Sequence, residues 1–98
     1  MSVAKIECRS PTKGAKSTRI DPWKFVRIRN LILSLLADSP DGVLFRDLPQ
    51  LIDQQLGDHE AEEIGSISWY TTTVKRELEV RGEILRVEGT EPQRLITA

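Results

Sequence analysis

The side chains able to do covalent or metal chemistry are few. His59 is the single histidine and Cys8 the single cysteine, and they stand far apart in the chain. They give no zinc-type ligand spacing and no intrachain disulfide. His59 sits among Asp58, Glu60, Glu62 and Glu63, where a solvated loop residue is expected rather than a base or a ligand. Carboxylates are numerous, but none is paired at a spacing that marks a general acid and its base. Gly14, Ala15, Lys16 and Ser17 lack the strand-loop-helix context of a phosphate loop. No enzymatic activity, cofactor, metal or small-molecule substrate is therefore expected. What remains is a set with hydrogen-bonding and ion-pairing capacity: Ser66, Ser68, Trp69, Thr72, Thr73, Lys75 and Arg76 in one stretch, with Arg86 and Arg94 beyond it.

The stretch 66–98 must position that set. Ile67, Tyr70, Val74 and Leu78 recur at helical spacing and form one apolar stripe. Trp69, Thr72, Thr73, Lys75, Arg76 and Glu79 are assigned to the other side. Ser66 or Ser68 can cap the first turn by accepting an orphan backbone N–H. Gly82 follows as a C′ glycine able to end the helix. The period then changes to two: Ile84, Arg86 and Glu88 alternate with Leu85 and Val87. Gly89, Thr90, Glu91 and Pro92 form a turn cluster, and residues 94–97 alternate again.

Earlier in the chain, Asp21 and Pro22 open a helix. Aspartate suits the N-cap, and proline at the first helical position gives up an N–H that has no partner there. Phe25, Ile28, Ile32, Leu35 and Leu36 make its core stripe, widened by Val26, Leu31 and Leu33, while Lys24, Arg27 and Arg29 are expected outside. Val43 and Leu44 read as a short extended piece. A second helix is expected over residues 45–56, with Pro49 tolerated near its first turn and Gly57 as its stop. Residues 57–65 are expected as a loop with a helical turn, acidic and without a basic companion. Residues 4–8 and 17–20 are expected as the strands of a hairpin, because Ile6 and Ile20 need burial; the alternative is a flexible basic arm.

The passage LEVRGEILRVEG…PQRLIT resembles the recognition-helix-to-wing passage of the winged helix-turn-helix superfamily. That resemblance implies an α+β fold of three helices plus a C-terminal β-hairpin wing over residues 21–98, with an N-terminal β-hairpin or arm over residues 1–20. It also implies DNA binding, in which the third helix enters the major groove and the wing touches backbone or minor groove. On that model Lys75 and Arg76 meet phosphate or guanine edges, and Thr72 and Thr73 meet phosphate or a thymine methyl. Ser66 and Ser68 lie at an anion-favouring helix N-terminus, and Arg86 and Arg94 act from the wing. The segments KIEC…STRIDPWKF, SISWYTTTVKRELEVRG and PQRL also resemble a family of small uncharacterised bacterial proteins with no established activity. It supplies no site residues.

Ninety-eight residues allow one domain, and an apolar fraction of 39% with 30% charged residues suits a soluble globular chain. With five aromatic residues the core must be mostly aliphatic. The first twenty residues are too polar for a signal peptide, the run 31–37 is too short to span a bilayer, and a cytoplasmic location is expected. Charge is sorted along the chain: residues 1–30 carry eight basic and two acidic side chains, residues 31–98 six basic and thirteen acidic. A basic front can meet a polyanion or a second copy head to tail. Residues 66–98 carry five basic and five acidic side chains, which weakens the DNA reading. The competing expectation is a protein-interaction or homodimerisation module, docking through an edge strand or through helix one with Leu31 and Leu33 exposed at its interface. For the candidate residues themselves the structural alternative is Trp69 packed against the second helix, the threonines as filler, and Lys75 and Arg76 paired with Glu79.

Overall fold

A computed structural model describes residues 4–89 and 91–98. Cys8 and Ile20 reach the core because β1 (Ile6–Cys8) and β2 (Thr18–Ile20) pair antiparallel, with Ile6 opposite Ile20 and Cys8 opposite Thr18. Burial of these apolar residues fixes the register, since a slip by one would turn them to solvent. The expected hairpin is thus formed; residues 1–3 of the expected arm lie outside the described residues.

Asp21 takes the extended N-cap position and Pro22 begins α1 (Pro22–Ala37). The aspartate side chain makes no cap bond; its backbone carbonyl accepts from the N–H groups of Lys24 and Phe25. Phe25, Ile28, Leu31, Ile32 and Leu36 are buried, and Leu33 and Leu35 pack against them. Leu31 and Leu33 therefore do not form an exposed interface: α1 contacts α4 (Ile67–Arg81), α2 (Leu48–Gln55) and β5 (Arg94–Thr97), which covers both flanks of its stripe.

The second helix starts later than expected, and Pro49 is the reason. An α-helix from residue 45 would need the N–H of residue 49 to donate to Phe45, and proline has none. Leu48 N–H bonds the Phe45 carbonyl instead, giving a 3₁₀ turn over Phe45–Asp47 before α2 begins. The region 57–65 is more ordered than expected. It forms α3 (Asp58–Ile64), with Asp58 and Glu60 in a first turn whose dipole favours acids, and Ile64 buried.

Ser66 accepts the Trp69 N–H at 3.2 Å and starts α4, and Gly82 ends it at φ 75°. Val74 and Leu78 are fully buried, with Ile67 and Tyr70 packed beside the core. β4 (Ile84–Arg86) and β5 return antiparallel, and β3 (Val43–Leu44) adds to β5, so the strand order is β3-β5-β4. Val43 faces Leu95, and Arg86 faces Leu95 from the other side. Thr90 of the expected turn cluster lies outside the described residues. Among the described residues the fold is α+β, with four helices and two small sheets. α4 is its hub, in contact with α1, α2, α3, β1 and β4. No helix among the described residues is long and apolar enough to cross a membrane.

Gly42, just before β3, has φ 98°, and an added Cβ would lie 2.6 Å from Arg94 Cγ and 3.0 Å from the Leu95 carbonyl oxygen. Gly42→Ala is expected to lower the unfolding free energy by about 1–3 kcal/mol, read as a lower urea midpoint with unchanged slope.

Candidate nucleic-acid interface

α4 divides the expected binding residues into two groups. Ser66, Ser68, Trp69 and Arg76 are exposed, and Thr72 and Thr73 are half-buried beside them. These six share the side of the helix turned away from the core. Arg76 makes no ion pair or hydrogen bond among the described residues. The Ser66 hydroxyl is already used as the helix cap, so its contribution to a ligand is limited to what one hydroxyl can still donate. Trp69 stays 46% exposed and meets Tyr70 edge to face, with ring centroids 4.8 Å apart. Lys24 closes this corner: its ammonium donates to the Ile64 carbonyl at 3.1 Å and to the Tyr70 hydroxyl at 3.3 Å, and lies over the Tyr70 ring.

Lys75 is not at the surface. It is 2% exposed, with Nζ 2.9 Å from Glu79 Oε1 and 4.4 Å from the centre of the Phe45 ring. Position 75 follows Val74 and stands one turn after Thr71, so it falls inside a buried side wider than the four-residue stripe. Burial pulls its pKa down, and the pair with Glu79 opposes that. Arg86 is held by the same carboxylate, through Nε at 3.0 Å and Nη2 at 3.2 Å. Burial would raise the pKa of Glu79, but these two cations bring it below the usual range. Arg94 is half-buried, and its Nη1 donates to the Gly42 carbonyl at 3.2 Å. The three cations Lys75, Arg86 and Arg94 are thus engaged within the chain.

The N-terminal hairpin lies against α4 through one carboxylate. Glu77 is 1% exposed. Its Oε1 accepts from the Arg9 backbone N–H (2.8 Å) and Nε (3.0 Å). Its Oε2 accepts from Arg9 Nη2 (2.8 Å) and Arg81 Nε (2.7 Å). Burial alone would raise the Glu77 pKa; the donors from Arg9 and Arg81 overcome it and hold the group at about 2. The neighbouring Cys8 thiol is pushed up to about 11, first by burial and then by the Glu77 charge, with Arg81 opposing. It is therefore a poor nucleophile at neutral pH.

This packing brings Arg9, Ser10, Lys16 and Thr18 beside Thr73 and Arg76 around one shallow cleft. The sequence set of binding residues contained none of those four hairpin residues; the only signal for them was the basic excess of residues 1–30. Much of that excess is paired within the chain: Arg9 with Glu77, Arg27 with Glu60, and Arg29 with Glu83. Arg27 and Arg29 are half-buried rather than free outside, and the acidic segment does have a basic companion, because Arg27 Nε lies 2.8 Å from Glu60.

The chain belongs to the family of unknown function DUF6958. The family model matches residues 5–95, from just before β1 into β5. No curated protein and no solved structure matches the chain. The family description assigns no activity to any residue.

The depressed Glu77 pKa makes stability depend on pH in a definite direction. Its folded value is about 2 against an ordinary 4.5, so its contribution is full above pH 4.5 and is lost as pH falls toward 2. Glu77→Gln is expected to cost about 2 kcal/mol at pH 7, the scale of hydrogen bonds to a charged group. It should also flatten the fall in urea stability between pH 5 and 2 relative to the parent chain. Equal pH profiles for the two proteins would contradict this assignment.

Proposed function

We propose that the chain is a winged-helix protein that binds duplex DNA through the outward face of α4, in a regulatory role in transcription. Support for the fold reading comes from the order α1, β3, α2, α4, β4, β5 and from the strand order β3-β5-β4. In this reading α4 plays the part of the third helix and the β4–β5 hairpin that of the wing. α3 is an insertion between α2 and α4, and the N-terminal hairpin is an addition.

The observation that carries the binding proposal is the contrast on α4. Lys75 is sequestered, whereas Arg76 is exposed and unpaired amid Ser68, Trp69, Thr72 and Thr73. A guanidinium offers a fork that fits phosphate or a guanine edge, and the threonines offer hydroxyl and methyl contacts. The wing cations Arg86 and Arg94 contribute less than the resemblance implies, since both already have partners. The reading involves no cofactor and no catalytic step. The second reading, a protein-interaction or dimerisation module without DNA binding, draws on Trp23 and Val26. They are 44% and 50% exposed and one turn apart on α1.

Fluorescence anisotropy of a labelled random-sequence duplex, titrated at low and moderate salt, separates the two. DNA binding predicts saturable association that weakens steeply with salt. Arg76→Ala should weaken it by about five- to tenfold and reduce the salt slope by about one. No association even at low salt would overturn the DNA reading, and unchanged affinity for Arg76→Ala would remove α4 from the interface.

A further inference from the structure

The cleft between the N-terminal hairpin and α4 is formed by Arg9, Ser10, Lys16 and Thr18 on one side and Thr73 and Arg76 on the other. Its volume is about 40 Å³, and it opens to solvent. No carboxylate among the described residues lines it. Glu77, the residue after Arg76, points its charge into Arg9 and Arg81 and has no oxygen to spare for Lys16 or Arg76. Lys16 and Arg76 make no ion pair or hydrogen bond among the described residues.

Lys13, Arg19 and Arg46 likewise have no acidic partner among the described residues, but they do not line the cleft. Arg9, Arg27, Arg29, Lys75, Arg81 and Arg86 each have an acidic partner. Two cations facing one small cleft repel each other, and the fold provides no counter-charge there. Cys8 and Arg9, the latter already paired with Glu77, also line the cleft, and the remaining lining groups are hydroxyls. Ser10 Oγ accepts the Thr12 N–H at 3.2 Å, which leaves its own O–H free to donate. Thr18 and Thr73 can donate in the same way. Two unneutralised cations with three hydroxyl donors suit an oxyanion of charge about −1 to −2.

We infer that this cleft seats one backbone phosphate of bound DNA, so that the hairpin and α4 grip the same strand. The inference rests on the DNA-binding reading and assigns to it a contact that the winged-helix resemblance does not supply. The Arg9–Glu77 pairing makes the site possible. It pins the hairpin to α4, so Lys16 and Thr18 are held beside Thr73 and Arg76 before any ligand arrives. The backbone positions of the site are thus set in advance, while Lys16 and Arg76 still give up side-chain freedom on binding.

The test uses amide spectra of the full chain titrated with inorganic phosphate, against chloride at matched ionic strength, together with duplex titrations. Lys16→Gln and Arg76→Gln are compared with Lys13→Gln, a hairpin lysine that does not line the cleft. Phosphate is expected to shift Ser10, Thr18, Thr73 and Arg76 saturably, and chloride is not. Lys16→Gln and Arg76→Gln should each remove that response. Lys16→Gln should weaken duplex binding by about threefold or more, and Lys13→Gln by clearly less. Duplex binding with no phosphate response at the cleft, or with equal losses for Lys16→Gln and Lys13→Gln, would overturn the site while leaving the DNA reading standing. A phosphate response without duplex binding would overturn both the backbone-phosphate assignment and the DNA reading, and would leave a site for a free oxyanion.

Discussion

A carboxylate placed in a protein interior must be matched by donors or it destabilises the fold. Glu77 is such a group, and both its oxygens are occupied, by Arg9 on the N-terminal hairpin and by Arg81 one turn along α4. Much of the upper surface follows from that match. It locks β1 against α4 and encloses Cys8. It also aligns the hairpin residues Ser10, Lys16 and Thr18 with Thr73 and Arg76. Arg81, drawn toward Glu77, also lies 4.7 Å over the Phe25 ring, which ties the same network to the core of α1. The hairpin is thus part of the domain's packing and helps to shape the proposed binding face.

The charge sorting of the sequence has the same origin. A basic first third and an acidic remainder invite a reading of polyanion contact or of pairing between copies. In the folded chain much of the excess is settled internally, by Arg9–Glu77, Arg27–Glu60 and Arg29–Glu83. Glu79 does the same for Lys75 and Arg86 on the other flank of α4. Lys13, Lys16 and Arg19 of the hairpin and Arg76 of α4 are among the cations left without an acidic partner among the described residues. A near-neutral chain can therefore present a locally basic surface, and the even balance of residues 66–98 says little about the face that α4 turns outward.

Local chemistry in the sequence made several elements legible. Asp21 and Pro22 mark the start of α1, Ser66 and Gly82 bracket α4, and Val43 and Leu44 read as the extended piece that forms β3. What was not legible depended on geometry that a local pattern does not encode. Pro49 lies close enough to a helix start to be tolerated, yet the bond it cannot make to Phe45 turns the first three residues into a 3₁₀ turn. Lys75 looks like a surface residue by type, but its neighbours Thr71 and Val74 carry it under Phe45 and against Glu79. Arg9 and Glu77 are 68 residues apart, and nothing in either neighbourhood announces the contact. The cleft depends on that contact and was hidden with it.

The proposed interface makes its most direct demand on where a bound duplex touches the chain. Amide shift mapping of the full protein with a short random-sequence duplex at low salt would show this residue by residue. The proposed face requires the largest shifts in two separate segments, residues 66–76 on α4 and residues 9–18 of the hairpin, with β4 and β5 less affected. Shifts confined to the exposed Trp23 and Val26 side of α1, or absent from both segments, would contradict it.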